Sequence, residues 1–299
     1  MKIAKGPKVS VIMPVYNAGN FLVEAIESIL NQTYRNFEFI IVDDASIDNS
    51  WEIVQKYQEK FPKLIKAYRL TRNTNLAGNG AVNKVLSKAK GEYLARMDAD
   101  DISLPTRLEE EIKFLEKNPK VILVGTQANI IDKNGKIIGQ KIYPLNHNKI
   151  YKKYAVIHPI VHPSVMIKRS MLPNKNKLYE LRFGVNDDYY TFFRLLNYGQ
   201  FANLSEKLLN YRVHDKNASF QNLKEKYNNI CQIRRAAVEE LGYQISFSSR
   251  LMVLFQDLTV GLIPEKLLKP IYFIVRGIKV KGSSETVSPE VSFNLAKSL

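Results

Sequence analysis

Apolar positions change period along this chain, and the changes mark its elements. Residues 8–14 (KVSVIMP) form an apolar run stopped by proline, after which Phe21, Leu22, Ala25, Ile26, Ile29 and Leu30 recur at helical spacing. Residues 37–42 (FEFIIV) read as a second strand. The helix after it carries Trp51, Val54, Tyr57 and Phe61, with Ser46 and Asp48 as cap candidates. Residues 64–70 make a third strand. A helix with Ala81, Val82, Val85, Leu86 and Ala89 then runs to Gly91, its expected stop, before a fourth strand at 92–97. Strand-helix-strand units in series predict an α/β fold with a mostly parallel sheet, flanked by helices and joined by right-handed connections. Such sheets bind ligands beyond the carboxyl ends of their strands. Tyr16 and Asn17, Asp43 and Asp44, and the acids from Asp98 to Asp101 are therefore expected on one rim.

The second half has a different rhythm. Segments 128–132 and 136–140 flank Lys133-Asn134-Gly135, a strong hairpin signal. Segments 163–168 and 208–213 read as strands, 187–198 as a helix between them, and 222–241 as a further helix. Segment 251–281 is apolar but interrupted by Asp257, Pro264, Glu265, Lys266, Lys269 and Pro270. It holds no unbroken stretch of about 18 apolar residues to span a bilayer, though it suits the surface of one. The Ser-rich tail after Gly282 is expected to be disordered. These patterns divide the chain into an α/β domain at 1–220, a C-terminal helical appendage at 221–282 and a tail at 283–299.

A formal net charge of +15 over 299 residues favours polyanionic partners: nucleic acid, an anionic membrane face or phosphorylated substrates. Lysines are scattered without a long basic block, so a solvated surface accounts for the charge equally well, and no nucleic-acid-binding module is present. The single Cys231 excludes an intrachain disulfide and fits a reducing compartment. Its place in a helical pattern predicts a core residue. No apolar leader follows the lysine-containing start, which points to the cytoplasm.

Asp98, Asp100 and Asp101 follow an apolar strand directly. Like charges this close are costly unless a cation or several donors sit among them, and hard oxygen ligands suit Mg²⁺ or Mn²⁺. A solvated acidic loop opening the next helix would also carry them. By itself the D-x-D-D leaves both readings open.

Five pieces in order decide between them: residues 9–17 (VSVIMPVYN), 42–50 (VDDASIDNS), Gly91-Glu-Tyr93 leading to 98–101 (DADD), Asp187-Asp188 with Arg194, and 211–215 (YRVHD). Together they resemble the family 2 glycosyltransferases, which have the GT-A fold, over roughly residues 9–219. The resemblance implies that Pro14 and Tyr16 line a nucleotide pocket and that Asp43 contacts uracil or ribose, with Asn75 nearby. Asp98 would touch ribose or metal-bound water, and Asp100 would ligate Mn²⁺ or Mg²⁺. His214 stands where some relatives place a third ligand, with a structural histidine as the alternative. Asp188 corresponds to the base that takes the acceptor hydroxyl's proton, and Asp187 to a helix cap. Asp44 and Asp48 are assigned to turn chemistry, and His158 and His162, each followed by proline, to structure. The chain departs from the family pattern at Val82-Asn83, where an Arg-Asn pair is usual, and Arg72 or Lys84 are the candidate substitutes.

The implied activity is metal-dependent, inverting transfer of a hexose or N-acetylhexosamine from a nucleotide diphosphate, UDP first, to a glycan or lipid-linked acceptor in cell-surface polysaccharide synthesis, at the inner membrane face. A sugar-phosphate nucleotidyltransferase shares this sheet pattern, but the loop at 13–19 (MPVYNAG) lacks the basic, Gly-rich character expected of one. A non-enzymatic, basic membrane-binding protein with a dead site would not need Asp98, Asp100 and Asp188.

Overall fold

The computed structural model describes Gly6, residues 8–214, Asn217 and residues 222–263. Among these, nine strands form one sheet, in the spatial order Ile65–Arg69, Phe37–Asp43, Val9–Val15, Tyr93–Arg96, Met166–Lys168, Val121–Ile131, Gln200–Arg212 and Ile102–Ser103, with Ile137–Lys141 added beside Val121–Ile131. The first half matches its pattern closely. The parallel strands β1 (Val9–Val15), β2 (Phe37–Asp43), β3 (Ile65–Arg69) and β4 (Tyr93–Arg96) alternate with helices α1 (Gly19–Leu30), α2 (Ser50–Lys60) and α3 (Asn79–Val85). Strands β1 and β2 are buried along their whole length because helices cover both faces. Ile12, Ile40, Val42 and Leu94 face one core, with Ala81, Val82 and Val85 of α3. Val11, Met13, Phe39, Ile41 and Ala95 face the other, with Leu22, Ile26 and Ile29 of α1.

Gly91 does not cap a helix. It passes so close to β1 that a Cβ would lie 2.4 Å from the Ser10 backbone nitrogen. Its N–H instead donates to Ser10 Oγ at 2.9 Å, and α3 ends in a short 3₁₀ turn at Leu86–Lys88.

Beyond β4 the chain continues through β5 (Ile102–Ser103), α4 (Arg107–Lys117), β6 (Val121–Ile131), β7 (Ile137–Lys141), α5 (His147–Tyr154), β8 (Met166–Lys168), α6 (Asp187–Leu195) and β9 (Gln200–Arg212). The expected hairpin is present, with Gly135 at φ 83° in its turn. Strand β6 nevertheless starts seven residues before the expected 128, because its first half pairs with β8 and β9. Strand β9 likewise reaches back to Gln200, where β6 supplies a parallel partner.

Helix α7 (Leu223–Leu241) places Ile233, Ala236 and Ala237 in the same core as α6. Cys231 is only half-buried, with its thiol 3.5 Å from Asp257 Oδ1, which corrects the core assignment. Helix α8 (Phe247–Leu262) is anchored where Ser249 Oγ donates to the Lys152 carbonyl, yet leaves Leu251, Leu254, Phe255, Leu258 and Leu262 exposed. Among the described residues no helix is long and apolar enough to cross a membrane. The expected basic-apolar continuation beyond Ile263 and the tail at 283–299 lie outside the described residues.

Candidate active site

The carboxyl ends of β1, β2 and β4 open onto one cleft of about 1990 Å³, closed on its far side by α5, α7 and α8. Pro14, Tyr16, Asn17, Asp44, Asn75, Asp98, Asp100, Asp188 and His214 all line it, while Asp43 and Asp101, expected on the same rim, do not. The loops are laced together. Asn17 N–H donates to Ser46 Oγ, Ala18 N–H to Ser50 Oγ, Gly19 N–H to Asp48 Oδ2 and Ile47 N–H to Asn17 Oδ1. Ser46 therefore joins the loops and does not cap α2, while Asp48 accepts from the Ser50 N–H at 3.0 Å. Tyr16 is half exposed at the mouth, an aromatic face suited to stacking on a nucleobase.

The adjacent acids Asp43 and Asp44 lie in different surroundings. Asp43 is fully buried, with Oδ2 accepting from the Ser46 N–H and pairing with Arg69 at 3.2 Å, and it does not line the cleft. Its other oxygen, Oδ1, is buried without a hydrogen-bond partner among the described residues. Asp44 does reach the wall, fixed by the N–H and hydroxyl of Thr74 at 2.9 and 2.7 Å. The loop bearing Asn75 and Gly78 folds over Pro14. Gly78 at φ 79° could not carry a Cβ, which would stand 2.6 Å from Pro14 Cγ.

The three acids after β4 part company. Asp101 turns inward, accepts from the Arg212 N–H at 2.8 Å, and is pushed well above the usual carboxylate range by burial and by Asp100 and Asp98. It anchors β9. Asp98 accepts from Arg96 Nε at 2.8 Å. Asp100 Oδ2 lies 3.0 Å from His214 Nε2 and accepts from Asn217 Nδ2 at 3.2 Å. The His214 ring is stacked on Phe21 at 4.9 Å.

The donor set suits a hard or borderline divalent ion, one carboxylate and one imidazole. Asp100 Oδ2 and His214 Nε2 are hydrogen-bonded to each other at 3.0 Å, and these two atoms would be the ones to hold such an ion. Among the described residues no three His, Cys, Asp or Glu side chains converge. The remaining positions would fall to phosphate oxygens and water, as is usual for Mg²⁺. Sequence reasoning missed Asn217, whose only signal is its place three residues after His214.

Asp188 stands at the start of α6, facing the cleft, with Oδ2 3.7 Å from His158 Nε2 and 3.8 Å from His162 Nδ1. Both histidines line the cleft. Burial pulls His162 down to about 3, against the pull of Asp188, so it is neutral near pH 7. Its Nε2 meets the Tyr179 hydroxyl at 2.7 Å. His158 Nδ1 can only donate to the Ile160 carbonyl at 3.1 Å, which leaves Nε2 to accept from the Tyr154 hydroxyl when the ring is neutral. Asp187 is not a cap. It is buried and its Oδ1 accepts the N–H groups of Arg182 and Phe183, clasping the preceding loop.

Arg72 and Lys84 are exposed and off the cleft wall, so neither replaces the missing helix arginine. Arg96 does line the cleft. Burial works against its charge, but Asp98, Tyr179 and Asp188 hold its pKa above the ordinary arginine value.

The model for "Glycosyl transferase family 2" matches residues 10–174, more than half of the chain. An uncharacterised glycosyltransferase of Methanocaldococcus jannaschii is 36% identical over 224 residues, covering 73% of this chain and 75% of that protein. The O-antigen biosynthesis glycosyltransferase WbnJ of Escherichia coli is 37% identical over 213 residues, 70% of this chain and 80% of its own. Among solved structures, residues 1–349 of S. aureus TarS with UDP-GlcNAc superpose with a TM-score of 0.64 at 20% identity, covering 92% of this chain and 77% of that one. The mannosyltransferase PcManGT of Pyrobaculum calidifontis, with GDP-Man and Mn²⁺, gives 0.55 at 18% identity, covering 90% and 84%. The sheet and its flanking helices thus form the GT-A fold, and the chain belongs to glycosyl transferase family 2.

Proposed function

We propose that this protein transfers a hexose or N-acetylhexosamine from a nucleoside diphosphate, UDP in the first instance, to a hydroxyl of a glycan or lipid-linked acceptor, inverting the anomeric carbon. The observation that carries the reading is that Asp100 with His214 and, separately, Asp188 face one cleft. Tyr16, Pro14, Asn75 and Asp98 offer the nucleotide its wall. Asp100 and His214 would hold Mn²⁺ or Mg²⁺, which supplies neutralising charge for a diphosphate leaving group. A transferase so equipped needs a single catalytic carboxylate, unlike a glycosidase. Asp188 accepts the proton of the acceptor hydroxyl as its oxygen bonds to the anomeric carbon and the bond to the diphosphate breaks. The neutral His162 adds no positive charge of its own beside Asp188.

The UDP and UDP-GlcNAc complexes of TarS and the Mn²⁺ complex of PcManGT support the choice of donor and ion. A role in cell-surface polysaccharide synthesis is supported by the O-antigen relative. The exposed apolar residues of α8, with Lys149, Lys152 and Lys153 on the adjoining cleft wall, favour a protein that sits on the inner, anionic membrane face near a lipid-linked acceptor. Release of UDP from UDP-glucose, UDP-galactose and their N-acetyl forms, with Mn²⁺ or Mg²⁺ and candidate acceptors, tests the function. Turnover of one donor is expected, and binding of neither UDP nor any of the four would reject the reading.

A further inference from the structure

We propose that Arg96 holds the transferred sugar, its Nη1 donating to a sugar oxygen between the leaving diphosphate and Asp188. The inference rests on the nucleotide-sugar reading above and deepens it. Arg96 is 95% buried at the end of β4, yet it forms part of the cleft wall. A guanidinium carries five N–H donors in a fixed fork. Nε is committed to Asp98 at 2.8 Å, whereas Nη1 has no hydrogen-bond partner among the described residues. A buried donor left unmade is costly, and because the side chain already forms part of the cleft wall, a small turn of the guanidinium would bring Nη1 from its enclosed position to a ligand oxygen.

Position selects the sugar among the ligand's parts. From Asp98 a continuous chain of contacts leads through Arg96 to the Tyr179 ring, 5.9 Å from the guanidinium carbon. It continues from the Tyr179 hydroxyl to His162 at 2.7 Å, and from His162 to Asp188 at 3.8 Å. Arg96 thus stands between the acid assigned to the nucleotide and the acid assigned to the acceptor. The transferred sugar must occupy that interval, because its anomeric carbon lies between the breaking and the forming bond. The loop glycine also takes part: a Cβ on Gly78 would approach Arg96 Nη2 to 3.2 Å, so the fork is confined from above.

The test is a comparison of affinities for UDP and for whichever of the four UDP-sugars the wild type turns over fastest, in Arg96→Met and Arg96→Lys. Arg96→Met is expected to bind UDP within about twofold of wild type while losing about tenfold or more in affinity and KM for the UDP-sugar, with Arg96→Lys intermediate. An unchanged preference for UDP-sugar over UDP overturns the proposal. So does an equal loss for both ligands, which would assign Arg96 to the diphosphate. If neither variant folds, the wild type decides. UDP-sugar must protect Arg96 from phenylglyoxal better than UDP does, and equal protection overturns the proposal. A wild type that binds no nucleotide at all would instead reject the function proposed above.

Discussion

His214 Nε2 lies 3.0 Å from Asp100 Oδ2, joining residues 114 apart in the chain at the edge where β4 and β9 deliver them. Phe21 stacks on the imidazole, and Asn217 shares the same carboxylate oxygen, so the pair is held from two sides. Arg212 reinforces the arrangement by donating from Nε to the Asp100 carbonyl while its backbone N–H reaches Asp101.

Replacing Asp100 by Asn or Ala is expected to lower turnover by about 100-fold or more without unfolding the protein, since the side chain faces the cleft and not the core. His214→Ala is expected to weaken Mn²⁺ binding in calorimetry with UDP present. Chelation should silence the wild type. Full turnover in excess EDTA would refute the metal assignment.

Asp188→Asn keeps the size of the side chain but cannot accept the proton, so transfer should fall by roughly 100-fold or more while UDP affinity stays near wild type. Asp187→Ala should behave differently, costing about 1–3 kcal/mol of stability because two buried N–H groups lose their acceptor. Kinetics and urea midpoints on both variants separate the roles. A larger catalytic loss at Asp187→Asn than at Asp188→Asn would reverse the assignment.

Glu111 supplies a pH test of stability. Fully buried on α4, 3.9 Å from Arg107, its carboxyl is pushed up to about 8 by burial, against the pull of Arg107. The folded state therefore keeps a proton that the unfolded chain releases above its ordinary value near 4.5. Between those values the unfolded state binds fewer protons, so this group makes stability fall as pH rises, by up to about 1.4 kcal/mol per unit. Glu111→Gln should flatten the decline in unfolding free energy from pH 5 to 8. Parallel wild-type and variant curves would contradict the assignment.

Helix α8 predicts membrane association. The protein should sediment with anionic but not neutral vesicles, less so at high salt, and truncation before Phe247 should abolish binding. Each nearby cation contributes about 1 kcal/mol. A truncated protein that still binds fully would sink the idea.

The first four strands and their helices were legible because a sheet covered on both faces demands continuous apolar runs, as in β1 and β2, and its helices demand apolar stripes, as on α1. The rim of polar strand ends followed from that topology, and Asp98, Asp100, Asp188 and His214 line the cleft there. Residues whose roles depend on distant partners were not legible. Asp43 and Asp44 are adjacent, and only the path of the Thr74 loop and the nearness of Arg69 decide that the first is buried and the second lines the cleft. Long β6 and β9 were read too short because each stabilises the other across the sheet, a pairing that local periodicity does not carry. Sequence alone therefore determined the layered α/β architecture and the acids at its edge, since burial imposes local patterns. Tertiary structure alone brought His158, His162 and Arg96 beside them, because contacts between residues far apart in the chain leave no local pattern to read.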